Sequence, residues 1–254
     1  MSSLAELAHL THLDPKRAIA VPSGGGGLSM HELDVDPYDF LLLAEEDWER
    51  GGLAAELNAI TNAKRAIVAQ MDKALLSFGY PATPWNVPKK IETLQSLGLV
   101  TPRILRRVSS TRNLLEHEYR RPSAKDIEDA IDLAALFVAS IKSVLTLFAD
   151  EFFVGNSDEQ IDAFSFEQEL SFSMFVSGRK NPPAFRIRAR ARGGNLGETL
   201  IDHRQREFPT VVRLAVAADR GFKLNEALAD FCALLVTRAS PNPSFKRTCL
   251  RHAA

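Results

Sequence analysis

FSFEQELSFSMF, residues 164–175, and FRIRARAR, residues 185–192, decide the fold class of this chain. In the first stretch Phe164, Phe166, Leu170, Phe172 and Met174 alternate with Ser165, Glu167, Glu169, Ser171 and Ser173. In the second, Phe185, Ile187, Ala189 and Ala191 alternate with Arg186, Arg188, Arg190 and Arg192. A period of two places apolar residues on one face of a half-buried strand. The turn-like SGRKNPP between them predicts a hairpin with a loop of several residues. Downstream, FPTVVRLAVA (208–217) reads as a third strand and FKLNEALADFCALLV (222–236) as a closing amphipathic helix. Residues 157–238 are therefore expected as a small α+β domain.

Upstream the period is helical. FLLLAEEDWER is followed by a long segment with Leu57, Ile60, Ala63, Ile67, Met71, Leu75 and Phe78 on one face. PATPWNVP ends it, Pro88 opens the short helix KKIETLQSL, and Gly98 closes that helix. Thr101 and Pro102 open another, stopped by Pro122, and Ser123 with Asp126 forms a capping box for a last long helix reaching about Asp150. Residues 38–152 are expected as an α-helical bundle with short connections. Residues 1–37 contain Pro15 and the run SGGGG at 23–27, whose glycines are costly to order, so a mobile arm is expected there. The tail 239–254, with two prolines and scattered basic residues, is expected to be disordered.

Composition narrows the function classes. With 45% hydrophobic and 25% charged residues the chain has the make-up of a soluble globular protein. Its 31 Lys and Arg against 32 Asp and Glu give a net charge of −1, so attraction to nucleic acid or to an anionic membrane must come from local patches. Two cysteines, Cys232 and Cys249, do not make a disulfide framework and fit a reducing compartment. The N-terminus lacks the pattern of a signal peptide, and the longest apolar run, IDLAALFVASIKSVLTLF, is broken by Asp132 and Lys142. A cytoplasmic protein without a membrane span is expected.

RNLLEHEYRRP, residues 112–122, concentrates polar chemistry. Cleaving RNA without a metal needs a group that moves the 2′-hydroxyl proton and cationic donors for the charge that builds on phosphorus. His117 suits the first task, since its ordinary pKa lies near neutrality, and Arg112 the second, with a planar fork matched to phosphate oxygens. Asn113 and Tyr119 can add donors, and Arg120 and Arg121 can contact RNA. A purely structural reading stands beside this one. Arg112 and Glu116 can pair at i and i+4, and His117 is favoured near a helix C-terminus, together about 1 kcal/mol. At roughly 100° per residue, Arg112 and His117 lie about 140° apart on a straight helix, so one intact helix does not present both to one phosphate. A bend inside the segment, or a second subunit across a two-fold axis, would.

The pattern R-N-x-x-x-H-x-Y formed by Arg112, Asn113, His117 and Tyr119, set between two helices of a bundle, resembles the HEPN superfamily over about residues 39–150. The resemblance implies a bundle of four or five helices, often dimeric. It also implies a metal-independent endoribonuclease without cofactors, a toxin or defence factor whose site forms across a homodimer interface and which can be held by an antitoxin partner. Arg112 would stabilise phosphate, His117 would act in proton transfer, and Asn113 and Tyr119 would support them. Other members are non-catalytic, which leaves a module that binds RNA, a nucleotide or a partner protein as the alternative.

The arginine row on the second strand is a separate candidate. Arg186, Arg188, Arg190 and Arg192 can track a nucleic-acid backbone, while Glu167 and Glu169 on the neighbouring strand would pair them without any ligand. The paired, solvated face is the favoured reading. Gly24 to Gly27 lack the Lys and Ser/Thr of a phosphate loop and read as a linker. His9, His12 and His31 with Asp14 would need the arm to fold before they could hold a metal, so no metal is expected. Asp202 and His203 read as a loop.

Overall fold

The structure, a computed structural model, describes residues 3–11, 13–99, 123–156, 168–175, 183–191, 194–221 and 223–236. Its helices begin where side chains can satisfy the first free amides. Asp36 caps α2 (Pro37–Arg50) in a reciprocal box with Asp39, Asn86 caps α4 (Val87–Ser96), and Ser123 with Asp126 caps α5 (Ala124–Thr146) in the box its spacing predicts. Gly51 and Gly52, both at positive φ, turn α2 back into α3 (Leu53–Ser77). Ala63, Ile67, Met71, Leu75 and Phe78 are buried as the helical spacing expects, whereas Leu57 is exposed. Helix α3 packs against α2, α4 and α5. Two polar ties hold it there: Asp47 of α2 accepts from the Asn62 amide at 3.0 Å, and Lys90 of α4 reaches Asp72.

Strand β2 (Glu151–Asn156) follows α5 almost directly and leads into a fully antiparallel sheet. The order is β1 (Ala18–Gly24), β2, β3 (Gln168–Phe175), β4 (Ala184–Ala191) and β5 (Gly194–Asp202). The expected hairpin is β3–β4, with Leu170 opposite Ala189 and Phe172 opposite Ile187. Ala20, Phe152, Val154, Phe185, Ile187, Ala189 and Ile201 are buried in the core. Helix α1 (Leu4–Leu10) meets β4 and β5, while α6 (Phe208–Arg220) and α7 (Leu224–Val236) meet β1. The fold is a mixed α+β one.

Four expectations are corrected. The described part of the first 37 residues is not a mobile arm. Helix α1 buries Leu4, Leu7 and Ala8, and β1 pairs along β2. The glycine run is not a linker either: the Leu28 amide donates to Leu145 O at 2.8 Å and the Gly26 amide to Asp150 Oδ1 at 3.0 Å. At Gly27 an added Cβ would lie 2.5 Å from Thr146 O, so glycine here allows a close backbone approach over the end of α5.

FPTVVRLAVA is helix α6, not a strand. Phe208, Val211, Val212, Leu214, Ala215 and Val216 are buried, while Thr210 and Arg213 are half-buried and Arg220 is exposed, so the polar residues recur at helical spacing and not at the strand's period of two. The division near residues 152–157 is not a boundary of the core: Phe78 of the helical part meets Phe148 at 5.7 Å and Phe208 at 6.3 Å, and Phe208 meets Phe185 of β4 at 5.9 Å. One apolar cluster runs from α1 to α7. No helix among the described residues is long and apolar enough to cross a membrane.

Candidate functional site

Arg112, Asn113, His117, Tyr119, Arg120 and Arg121 lie outside the described residues, as do His12, Glu167, Arg192, Cys249 and the tail 239–254. The segment that carries the first six joins α4, whose C-cap is Leu97, to the Ser123 cap of α5. Both flanking helices pack on α3.

Arg186, Arg188 and Arg190 stand on β4 between the fully buried Phe185, Ile187 and Ala189. Strand pleating therefore puts the three guanidiniums on the face opposite the core, one every second residue. A carboxylate of β5 meets two of them. Glu198 is in register with Arg188 and accepts from its Nε at 2.6 Å, while Arg186 Nε lies 3.6 Å from the other carboxylate oxygen. Glu169, expected as a partner, is in register with Arg190 on β3. Arg190 holds its guanidinium 6.0 Å from the ring centroid of Phe153 on β2. Neither Glu198 nor Phe153 is evident in the sequence as part of this face. Glu198 sits in a glycine-containing strand of weak pattern, and Phe153 is two strands away.

Asp202 and His203 form the turn between β5 and α6. Asp202 accepts from the Arg204 amide at 2.9 Å and from its guanidinium, and Gln205 bridges the amide of Asp202 and the carbonyl of Leu200. The Arg204 hydrogen bond is the main cause that holds the Asp202 carboxyl below its ordinary value. His203 packs edge-on against Tyr80 at 5.4 Å, and Tyr80 also touches Trp85 at 6.0 Å and Phe208 at 6.2 Å. Burial pushes the Tyr80 phenol up to about 12 and the His203 imidazole down. His203 Nδ1 is buried and has no hydrogen-bond partner among the described residues. The cluster brings together residues more than a hundred positions apart, which no local pattern announces.

Among the described residues no group of His, Cys, Asp or Glu is placed to hold a metal ion. Asp14 spends its amide on Asn156 Oδ1 at 2.7 Å, and burial raises the Cys232 thiol. No family model matches the chain, and no curated protein or solved structure matches it significantly.

Proposed function

We propose that the chain is a HEPN-like, metal-independent endoribonuclease that acts as a cytoplasmic toxin or defence factor. The observation that carries this reading is the spacing of Arg112, Asn113, His117 and Tyr119 in a segment whose flanking helices, α4 and α5, both pack on α3. In the proposed reaction His117 takes the proton of a 2′-hydroxyl, whose oxygen attacks the adjacent phosphorus. The 5′-oxygen leaves and takes up a proton, and a 2′,3′-cyclic phosphate remains. Arg112 stabilises the charge on the non-bridging oxygens, and Asn113 and Tyr119 supply further donors. A homodimer places two copies of the segment face to face, which resolves the angle between Arg112 and His117 on one helix. An antitoxin partner would act by covering that face.

The test is RNA of mixed sequence incubated in EDTA with the wild-type chain and with His117→Ala. Fragments ending in cyclic phosphate, formed by the wild type alone, support the reading. Intact RNA in both, or equal cleavage by both, overturns it. A second reading, a non-catalytic module that binds RNA, a nucleotide or a partner protein, is favoured by the arginine face of β4, which is built without the Arg112 segment. It predicts saturable binding with the ligand recovered intact.

A further inference from the structure

We infer that the outward face of β4, with Phe153 of β2 and Glu198 of β5, is a track for single-stranded RNA on which Glu198 holds the place of a phosphate. The inference rests on the ribonuclease reading for the identity of its ligand, and it concerns a different surface from the Arg112 segment.

Geometry is the first support. Two residues along a strand rise about 6.8 Å, so Arg186, Arg188 and Arg190 set three guanidiniums in a line over about 14 Å. Their backbone is fixed on both sides by β3 and β5, and their buried neighbours Phe185, Ile187 and Ala189 anchor the strand in the core. A row held by a rigid sheet loses little freedom when it meets an extended backbone.

Chemistry is the second. Two of the guanidiniums converge on one carboxylate, Glu198, at 2.6 and 3.6 Å. The side chains of Arg186, Arg188 and Glu198 are 38%, 37% and 38% exposed, so these ion pairs sit in the solvent-screened range. An RNA phosphate offers the same planar forks a second oxyanion of matching geometry, and exchange of Glu198 for phosphate is an exchange of like bonds. Arg190 lies over the half-buried Phe153 ring, so a base stacks on this ring by taking the place of the guanidinium as that arginine turns to a phosphate. Stacking on such a ring is open to an unpaired base and closed to a base inside a duplex, and it selects single-stranded RNA without reading sequence. The chain's net charge of −1 supplies no general attraction, so affinity must arise from a local row of this kind.

The experiment is fluorescence anisotropy of labelled oligouridylate between 50 and 300 mM KCl, about the range over which phosphate contacts are lost. The His117→Ala chain is used throughout, so that cleavage does not interfere. Arg188→Ala should weaken binding several-fold and reduce the slope of log affinity against log salt by about 0.7, the loss of one phosphate contact, and Arg188→Lys should restore the slope. Glu198→Gln should bind several-fold tighter, because it removes the competing carboxylate. Phe153→Leu should weaken oligouridylate binding and leave duplex RNA unaffected. If RNA is bound and none of these substitutions moves affinity or slope, the track is overturned while the ribonuclease reading stands. If no variant binds RNA and the wild type cleaves none, both fail. Cleavage by the wild type without measurable binding to this face overturns the track alone.

Discussion

Lys90 and Asp72 form a buried ion pair that ties α4 to α3: Nζ lies 2.7 Å from Oδ1 and donates to Oδ2 at 2.8 Å, with the lysine side chain 4% exposed. Burial raises the Asp72 carboxyl above its ordinary value in spite of the Lys90 bond, so desolvation offsets much of the attraction. Lys90→Met alone strands a buried carboxylate and should cost about 3–5 kcal/mol in urea unfolding. Lys90→Met with Asp72→Leu should recover most of that loss. A double variant no more stable than the single one would show that the pair is a net stabiliser.

Asp36 joins two roles, as N-cap of α2 and as ion-pair partner of Lys73. Burial raises its carboxyl, but the Lys73 bond, the Tyr38 amide and the charges of Lys73 and Lys142 together hold it below its ordinary value of 3.8. A lowered carboxyl contributes stability that is present above the unfolded value and is lost as pH falls through the folded one. Asp36→Ala should therefore cost about 1 kcal/mol or somewhat more at pH 6, and the difference from wild type should shrink in unfolding curves below pH 4.

His203 predicts a pH response of the opposite origin. Its ordinary value is 6.5, and burial, aided by Arg204 and opposed by Asp202, lowers it in the folded chain. The unfolded chain thus binds the proton first. Stability from this residue is full above about pH 6.5 and falls as pH drops below it, by at most about 1.4 kcal/mol per pH unit for one proton. Thermal midpoints at pH 5 and 7.5 for wild type and His203→Phe should differ by this component, which the phenylalanine removes while it keeps the ring against Tyr80. An unchanged pH dependence in His203→Phe would assign the effect to other groups.

The glycines separate two causes of strain. Gly27→Ala introduces both a positive φ of 74° and a Cβ 2.5 Å from Thr146 O, whereas Gly51→Ala introduces a φ of 69° into open space. The Gly51 substitution should cost about 1–2 kcal/mol, the conformational part alone, and the Gly27 substitution clearly more. Equal losses in chemical denaturation would mean that the loop over α5 moves aside freely.

Local patterns determine much of this protein. The capping boxes at Asp36 and Ser123 and the prolines at positions 37 and 88 start helices α2, α5 and α4, and the alternation in 168–175 and 185–191 makes the β3–β4 hairpin, because each is decided by residues within a turn or a strand of one another. The Arg112 to Tyr119 spacing is likewise a property of the sequence alone. Tertiary structure decided the rest. Ala18–Gly24 becomes a strand because Glu151–Asn156 offers it a ladder, and FPTVVRLAVA becomes a helix whose apolar face enters the shared core while Arg213 on its other face reaches Ser96 O and Asp230. Arg188 meets Glu198 because the β4–β5 register sets the two residues opposite each other, a partner ten positions on that the alternation of β4 alone does not name. His203 meets Tyr80 across 123 positions because the shared core of Phe78, Phe148, Phe185 and Phe208 draws the two loops together, a non-local packing preference that no spacing in the chain records.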